Sequence, residues 1–152
     1  MTRFGWWIGA VAMLAITAGS ALAAGPPIGQ VKTAEGEATI VRGPDRYAVK
    51  PGDSVYTKDV VVTGEHGAVG ITFVDNTVFS AGPNSEVALD EFRFHSSAGA
   101  NEMLAEMRRG TLSVVSGDIT HETPGALKIK TPTALLGVRG TTFAVQVVGD
   151  QK

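Results

Sequence analysis

The side chains able to do chemistry are few. His66, His95 and His121 are the three histidines, and no two of them stand at i, i+2 or i, i+4. Zinc-ligand spacing is therefore missing. There is no cysteine, so disulfides and thiolate metal sites are excluded. The sequence contains neither Gly-x-Ser-x-Gly nor His-Glu-x-x-His, and His121-Glu122 lacks a second histidine ligand. Ser113 and Ser116 lie close to His121 along the chain, which does not make a nucleophile and base pair. Asp53, Asp59 and Asp75 could offer oxygen ligands to calcium, but no Asp-x-Asp-x-Asp-Gly loop is present. Each sits where an Asx-type turn or a strand edge gives it structural work. Gly64-Glu-His-Gly67 and Gly137-Val-Arg-Gly140-Thr141 lack the lysine and the following helix of a phosphate loop, and read as tight turns. Arg139 stands out, because Gly137 and Gly140 permit bends that could turn its guanidinium inward or toward a ligand. The expectation is a structural ion pair with a carboxylate. The residue types point to a protein without enzymatic activity, metal or cofactor.

The elements that must position these residues are short and alternating. Val69, Ile71 and Phe73 alternate with Gly70, Thr72 and Val74, the period of a half-buried strand. Val74-Asp-Asn-Thr77 reads as a two-residue hairpin turn centred on Asp75 and Asn76. Val87 and Leu89, Phe92 and Phe94, Leu112 and Val114, Leu127 and Ile129, and Phe143, Val145 and Val147 repeat the pattern. Residues 102–108 fit helical spacing as well, through Met103, Leu104 and Met107, and are read as a strand. Ser96 to Asn101 and Thr120 to Gly125 read as exposed loops. Turn signals recur every eight to twelve residues. The expected fold is all-β, a single domain of short stacked strands, either a β-sandwich or a short β-solenoid-like roll. The 19 glycines among 152 residues, against an ordinary share of about 7%, fit this turn-rich design.

The chain opens differently. Arg3 precedes an uncharged stretch from Phe4 to Ala18, followed by Gly-Ser-Ala-Leu-Ala23. The apolar run is short for a bilayer, which needs about 20 residues, and Ala21 and Ala23 supply an A-x-A site. Residues 1–23 are expected to be a signal peptide cleaved after Ala23, with residues 24–152 as the exported domain. The alternative is an uncleaved anchor, against which Gly5, Gly9 and Gly19 dilute the run. No later segment approaches spanning length, so the mature chain is expected in the periplasm or secreted. A formal charge of −2 offers no broad basic face for nucleic acid.

Gly36-Glu-Ala-Thr-Ile-Val-Arg-Gly43, Pro51-Gly-Asp-Ser-Val-Tyr56, Asp59-Val-Val-Val-Thr-Gly64 and Gly67-Ala-Val-Gly-Ile-Thr-Phe-Val-Asp75 form a pattern that continues. It runs through Pro83-Asn-Ser85, Arg109-Gly110-Thr111 and the closing Thr131-Pro-Thr-Ala-Leu-Leu-Gly-Val-Arg-Gly-Thr-Thr-Phe143. This pattern resembles the FecR-like domain, over roughly residues 28–148. The motif positions are Gly52, Asp53, Asp59, Gly64, Asp75, Ser85, Gly110, Thr131, Pro132, Gly137, Arg139, Gly140 and Thr141, and structural roles are expected for them. The resemblance implies an all-β periplasmic domain; in the best-known relatives it belongs to a transmembrane regulator relaying iron-siderophore uptake to a sigma factor. Here no cytoplasmic anti-sigma segment precedes the apolar run, and only nine residues follow Phe143. An exported, stand-alone interaction module of the cell envelope is therefore expected, with an accessory role in such signalling or glycan binding as alternatives. Its partner would be an envelope protein or a cell-wall glycan, met by strand addition or at a sheet face. The mixed face carrying Arg42, Tyr47, Tyr56 and Lys58 is the candidate recognition surface.

Overall fold

The structure is a computed structural model that describes residues 25–95, 100–140 and 142–149. Residues 1–23, where a signal peptide is expected, residues 96–99 of the loop expected at 96–101, and Thr141 lie outside the described residues. The regular structure of the described chain is nearly all strand, in one antiparallel-dominated sheet that curls over a single core.

Its centre is a long bent hairpin. Strand β9 (Glu102–Val115) pairs antiparallel with β7 (Val78–Ala81) through its second half and with β8 (Glu86–Arg93) through its first. On its other side β9 meets β10 (Leu127–Lys130), in parallel, and β12 (Thr142–Val147), antiparallel. Two layers thus share one strand. The first continues from β7 through β6 (Ala68–Phe73) and β1 (Gly29–Glu35) to the two-residue β4 (Ser54–Val55). The second continues from β8 through β5 (Val60–Thr63) and β2 (Ala38–Arg42) to β3 (Asp45–Ala48), while β11 (Leu135–Gly137) pairs with β10.

The burial of β9 shows how one strand serves two layers. Met103, Ala105 and Met107 are buried in its first half, whereas Leu112 and Val114 are buried in its second. The parity changes from odd to even because Glu86 faces Arg109 while Val87 faces Met107, leaving Arg108 as an extra residue. Such a bulge bends a strand and swaps the face it presents. Gly110 completes the bend at φ +91°, and a Cβ there would overlap the Oγ and Cα of Ser85. A second bulge at Asp90 explains why burial passes from Val87 and Leu89 to the half-buried Phe92 and Phe94. Phe73 packs edge-on to Phe79 at 4.8 Å and stacks on Phe92 at 5.8 Å, joining the layers.

The strand at 102–108 is confirmed, as is the all-β single domain. Two local expectations are corrected. The hairpin turn has three residues, since Phe73 and Thr77 still pair, the Asn76 N–H donates to the Phe73 carbonyl, and only Asn76 is left-handed (φ +66°). Asp75 is turned in and fully buried rather than held at the tip. The loop at 120–125 begins inside a short helix, α1 (Asp118–Glu122), which buries Ile119 and Thr120. Asp75 promotes it by accepting from Ile119 N–H, an end-capping bond that no local sequence signal announces.

The Gly110→Ala variant tests the bend. It is expected to cost about 3 kcal/mol or more, from the left-handed φ and the overlap with Ser85 together, lowering Tm by roughly 10 °C. Gly137→Ala, whose Cβ meets nothing, should leave Tm within about 2 °C in the same melting experiment.

Candidate functional site

Three of the four residues of the candidate recognition face do come together. Arg42 ends β2, Tyr47 lies on β3, and Tyr56 follows β4, so the guanidinium sits 5.2 Å from the Tyr47 ring centre and 4.3 Å from that of Tyr56. Their common focus is Asp59, which is fully buried. Arg42 Nε donates to Asp59 Oδ1 at 2.7 Å and Nη2 to Oδ2 at 2.6 Å, a two-pronged pair. Oδ2 also accepts the Tyr56 N–H at 2.9 Å, and Arg42 Nη2 reaches the Ser54 carbonyl. The bond to Asp59 raises the Arg42 pKa above its ordinary value, against the opposing effect of burial. Arg42 is thereby committed to holding β2 against the β4–β5 turn. Lys58 stays exposed in that turn at φ +75°, its N–H donating to the Leu89 carbonyl.

Tyr47 adds an anomaly: its hydroxyl is buried without a hydrogen-bond partner. Burial pushes its pKa up, with the Arg42 charge working the other way.

The motif positions form two further internal networks. At the bend, Ser85 Oγ donates to the Thr111 carbonyl and accepts the Thr111 N–H, at 3.1 and 2.9 Å. The Ser85 N–H in turn donates to Thr63 Oγ1, which donates to the Gly82 carbonyl at 2.6 Å. These hydroxyls replace the ladder bonds lost where β7 gives way to β8. Below α1, Asp75 Oδ2 accepts from Thr77 Oγ1 at 2.5 Å, Thr77 Oγ1 accepts the Gly117 N–H at 3.0 Å, and the Asp118 N–H donates to the Asp75 carbonyl. Thr63 and Thr77 are essential to these networks and carry no sequence signal of it; Thr63 follows Val60-Val61-Val62 and Thr77 follows the turn residues Asp75-Asn76, where a buried threonine looks like any strand-end residue.

Asp53 accepts the Lys50 N–H across the Pro51-Gly52 turn, with Gly52 at φ +98°, the type II position. Gly64 bonds through its backbone to Glu37 and Asn84. Thr131 closes the β10–β11 turn through Ala134. Arg139 departs from its expected role. It is exposed and has no carboxylate partner among the described residues, because the neighbouring Val138 takes the inward position and donates to Leu127. Among the described residues it is the half-buried Arg42 that pairs with a buried carboxylate, Asp59. Gly140, exposed like Pro132 and Gly137, accepts from Ser116 Oγ. His95 pairs with Glu122 across 27 residues, at 2.6 Å, on an exposed surface, linking the end of β8 to α1.

A different region offers a cleft. Thr131, Pro132 and Thr133 at the β10–β11 turn, Leu136 on β11, and Val145–Gly149 at the end of β12 surround a space of about 610 Å³. Arg108, the bulged residue of β9, lies at its side. An adjoining hollow of about 290 Å³ shares Leu136 and is lined by Val138–Gly140 and Phe143. Leu135 is 61% exposed and Val148 80%.

The family model described as FecR protein matches residues 59–152, more than half of the chain. The chain belongs to the FecR family. Residues 28–58 precede that match, and their strands β1 and β2 pair with β6 and β5 inside it, in the same sheet. A solved cell surface anchoring domain is 32% identical, over 42% of this chain and 86% of that one, with a TM-score of 0.40. No curated protein matches the chain. Within the FecR match, Asp59, Asp75, Ser85 and Gly110 are all engaged by the fold itself.

Two substitutions probe the tyrosine–arginine cluster. Arg42→Ala strands a buried carboxylate and should cost about 3–5 kcal/mol, whereas Arg139→Ala should change stability by less than about 0.5 kcal/mol; urea unfolding of both variants compares them directly. Tyr47→Phe removes an unpartnered hydroxyl and should be neutral or stabilising by about 1 kcal/mol. Because the folded pKa of Tyr47 lies above the unfolded one, its stability contribution is complete below the ordinary tyrosine pKa of about 10 and lost as pH rises through the folded value. The phenylalanine variant should therefore lose less stability than the parent on alkaline titration followed by fluorescence.

Proposed function

We propose that this FecR-family chain is a non-enzymatic interaction module of the bacterial cell envelope, exported to the periplasm or beyond by a cleaved segment at residues 1–23. The observation that carries this reading is the use of the family's polar residues. Asp59, Asp75 and Ser85 are buried with their hydrogen-bonding capacity spent inside the fold, so they support a scaffold in place of a reaction. What the scaffold holds toward solvent is strand edge and apolar surface, the material of protein recognition. An accessory role in extracytoplasmic sigma-factor signalling is a narrower version of the same reading, supported by family membership. Among the described residues no helix is long and apolar enough to cross a membrane.

Cross-linking the mature protein in intact cells, with identification of what co-purifies, tests this proposal. A specific envelope protein is the expected result, and a membrane-bound regulator among the products would favour the signalling version. Co-sedimentation with insoluble peptidoglycan and no protein product would move the assignment to glycan binding. A hydrolase activity abolished by one carboxylate substitution would overturn it.

A further inference from the structure

We infer that the cleft between β11 and β12 takes an extended, acidic segment of a partner protein, which adds as a strand to one of the two edges. This rests on the interaction-module reading and supplies its place and chemistry.

Both walls of the cleft are unfinished sheet. Among the described residues β11 pairs only with β10, and β12 only with β9, so each turns a row of backbone N–H and C=O groups outward. Folded proteins ordinarily blunt such edges with charge, proline or a covering loop. Here β11 is exposed along its full length and carries Leu135 and Leu136. Leu136 joins the main cleft to its neighbour, and the exposed Val148 stands at the other side. A space of about 610 Å³ falls within the ordinary range of ligand clefts. Backbone edges reward a ligand that brings its own amide ladder, and apolar walls reward alternate apolar side chains. A glycan supplies neither.

Charge sets the sign of the occupant. The described residues lining the two hollows include Arg108 and Arg139 and no carboxylate, in a chain whose formal charge is −2. Arg108 is held in place by Glu86 and Glu106, whose carboxylates offset its charge, so the guanidinium open to an occupant is that of Arg139. Arg139 is exposed with no internal carboxylate among the described residues. A segment alternating apolar and acidic residues would place a carboxylate near Arg139, and complementarity of this kind guides encounter and register.

The test uses the full mature chain, labelled with nitrogen-15, and two blocked hexapeptides, one alternating Val and Glu and one alternating Val and Lys. The glutamate peptide should shift the backbone amides of residues 135–137 and 142–149 in a saturable manner, and the lysine peptide should bind at least tenfold more weakly. Leu136→Asp and, separately, Arg139→Glu should each weaken the glutamate peptide at least tenfold while Tm stays unchanged. No saturable shift, equal binding of both peptides, or shifts confined to β3 or β4 would overturn the proposal. Shifts at 135–149 produced by raising the protein concentration alone would overturn it in favour of a second copy. An oligogalacturonate that binds there where the glutamate peptide does not would overturn it in favour of an anionic glycan. If cross-linking in cells captures an envelope protein equally well with the Leu136→Asp variant, this site fails while the module reading stands.

Discussion

Everything in this fold hangs on a single strand having to face inward twice. Among the described residues β9 is the only strand that runs through both layers, and the core it supports lies on opposite parities of its two halves. A regular strand cannot do this, because the two-residue period fixes one face for its whole length. The extra residue at Arg108 and the left-handed Gly110 resolve the conflict in three positions. The partner hairpin must bend at the same level. β7 and β8 are interrupted at residues 82–85 opposite that point, and Thr63, Ser85 and the Thr111 backbone close the gap with hydroxyl bonds. The Pro83-Asn-Ser85 and Arg109-Gly110-Thr111 motifs are two halves of one device.

The two buried carboxylates follow the same logic. Each lies where the chain leaves a strand and would otherwise orphan a backbone donor. Asp59 gathers the Tyr56 N–H while pairing with Arg42, and Asp75 gathers the N–H groups of Thr77 and Ile119. A buried charge is costly unless paired and fully bonded, so these carboxylates belong where several donors converge. The tyrosines around Arg42 cover the partly exposed pair and reduce its access to water, at the cost of one unpartnered hydroxyl on Tyr47.

The alternation of Val69, Ile71 and Phe73, and of Leu127 and Ile129, makes the strands legible in the sequence, because a half-buried strand writes its period directly. Glycines and prolines likewise mark the turns. Long-range geometry is not written that way. The parity change at Arg108 shows only once β8 is laid beside β9. The α1 helix depends on Asp75, more than forty residues earlier. Arg139 and Arg42 illustrate the same limit: both follow a β-like run and precede a glycine, yet one is exposed and the other anchors a buried carboxylate. The choice was made by which neighbour, Val138 or Asp59, occupied the interior. The candidate cleft was hidden because its walls come from β10–β11 and β12, segments whose apolar residues look like ordinary core.

A division of labour follows from where the family motif residues point. Of those before Gly110, Asp59, Asp75 and Ser85 are buried and hold the bend and the two carboxylate networks, while Gly52 and Asp53 shape a surface turn, so their types are constrained by geometry whatever the domain binds. Those in the closing stretch behave otherwise. Thr131 shapes a turn, but Pro132, Gly137, Arg139 and Gly140 are exposed around the two hollows. Nothing in the interior requires a guanidinium at Arg139 or leucines at both Leu135 and Leu136. Residues without an interior reason, gathered on one unpaired edge, are the part of this surface that folding alone does not account for.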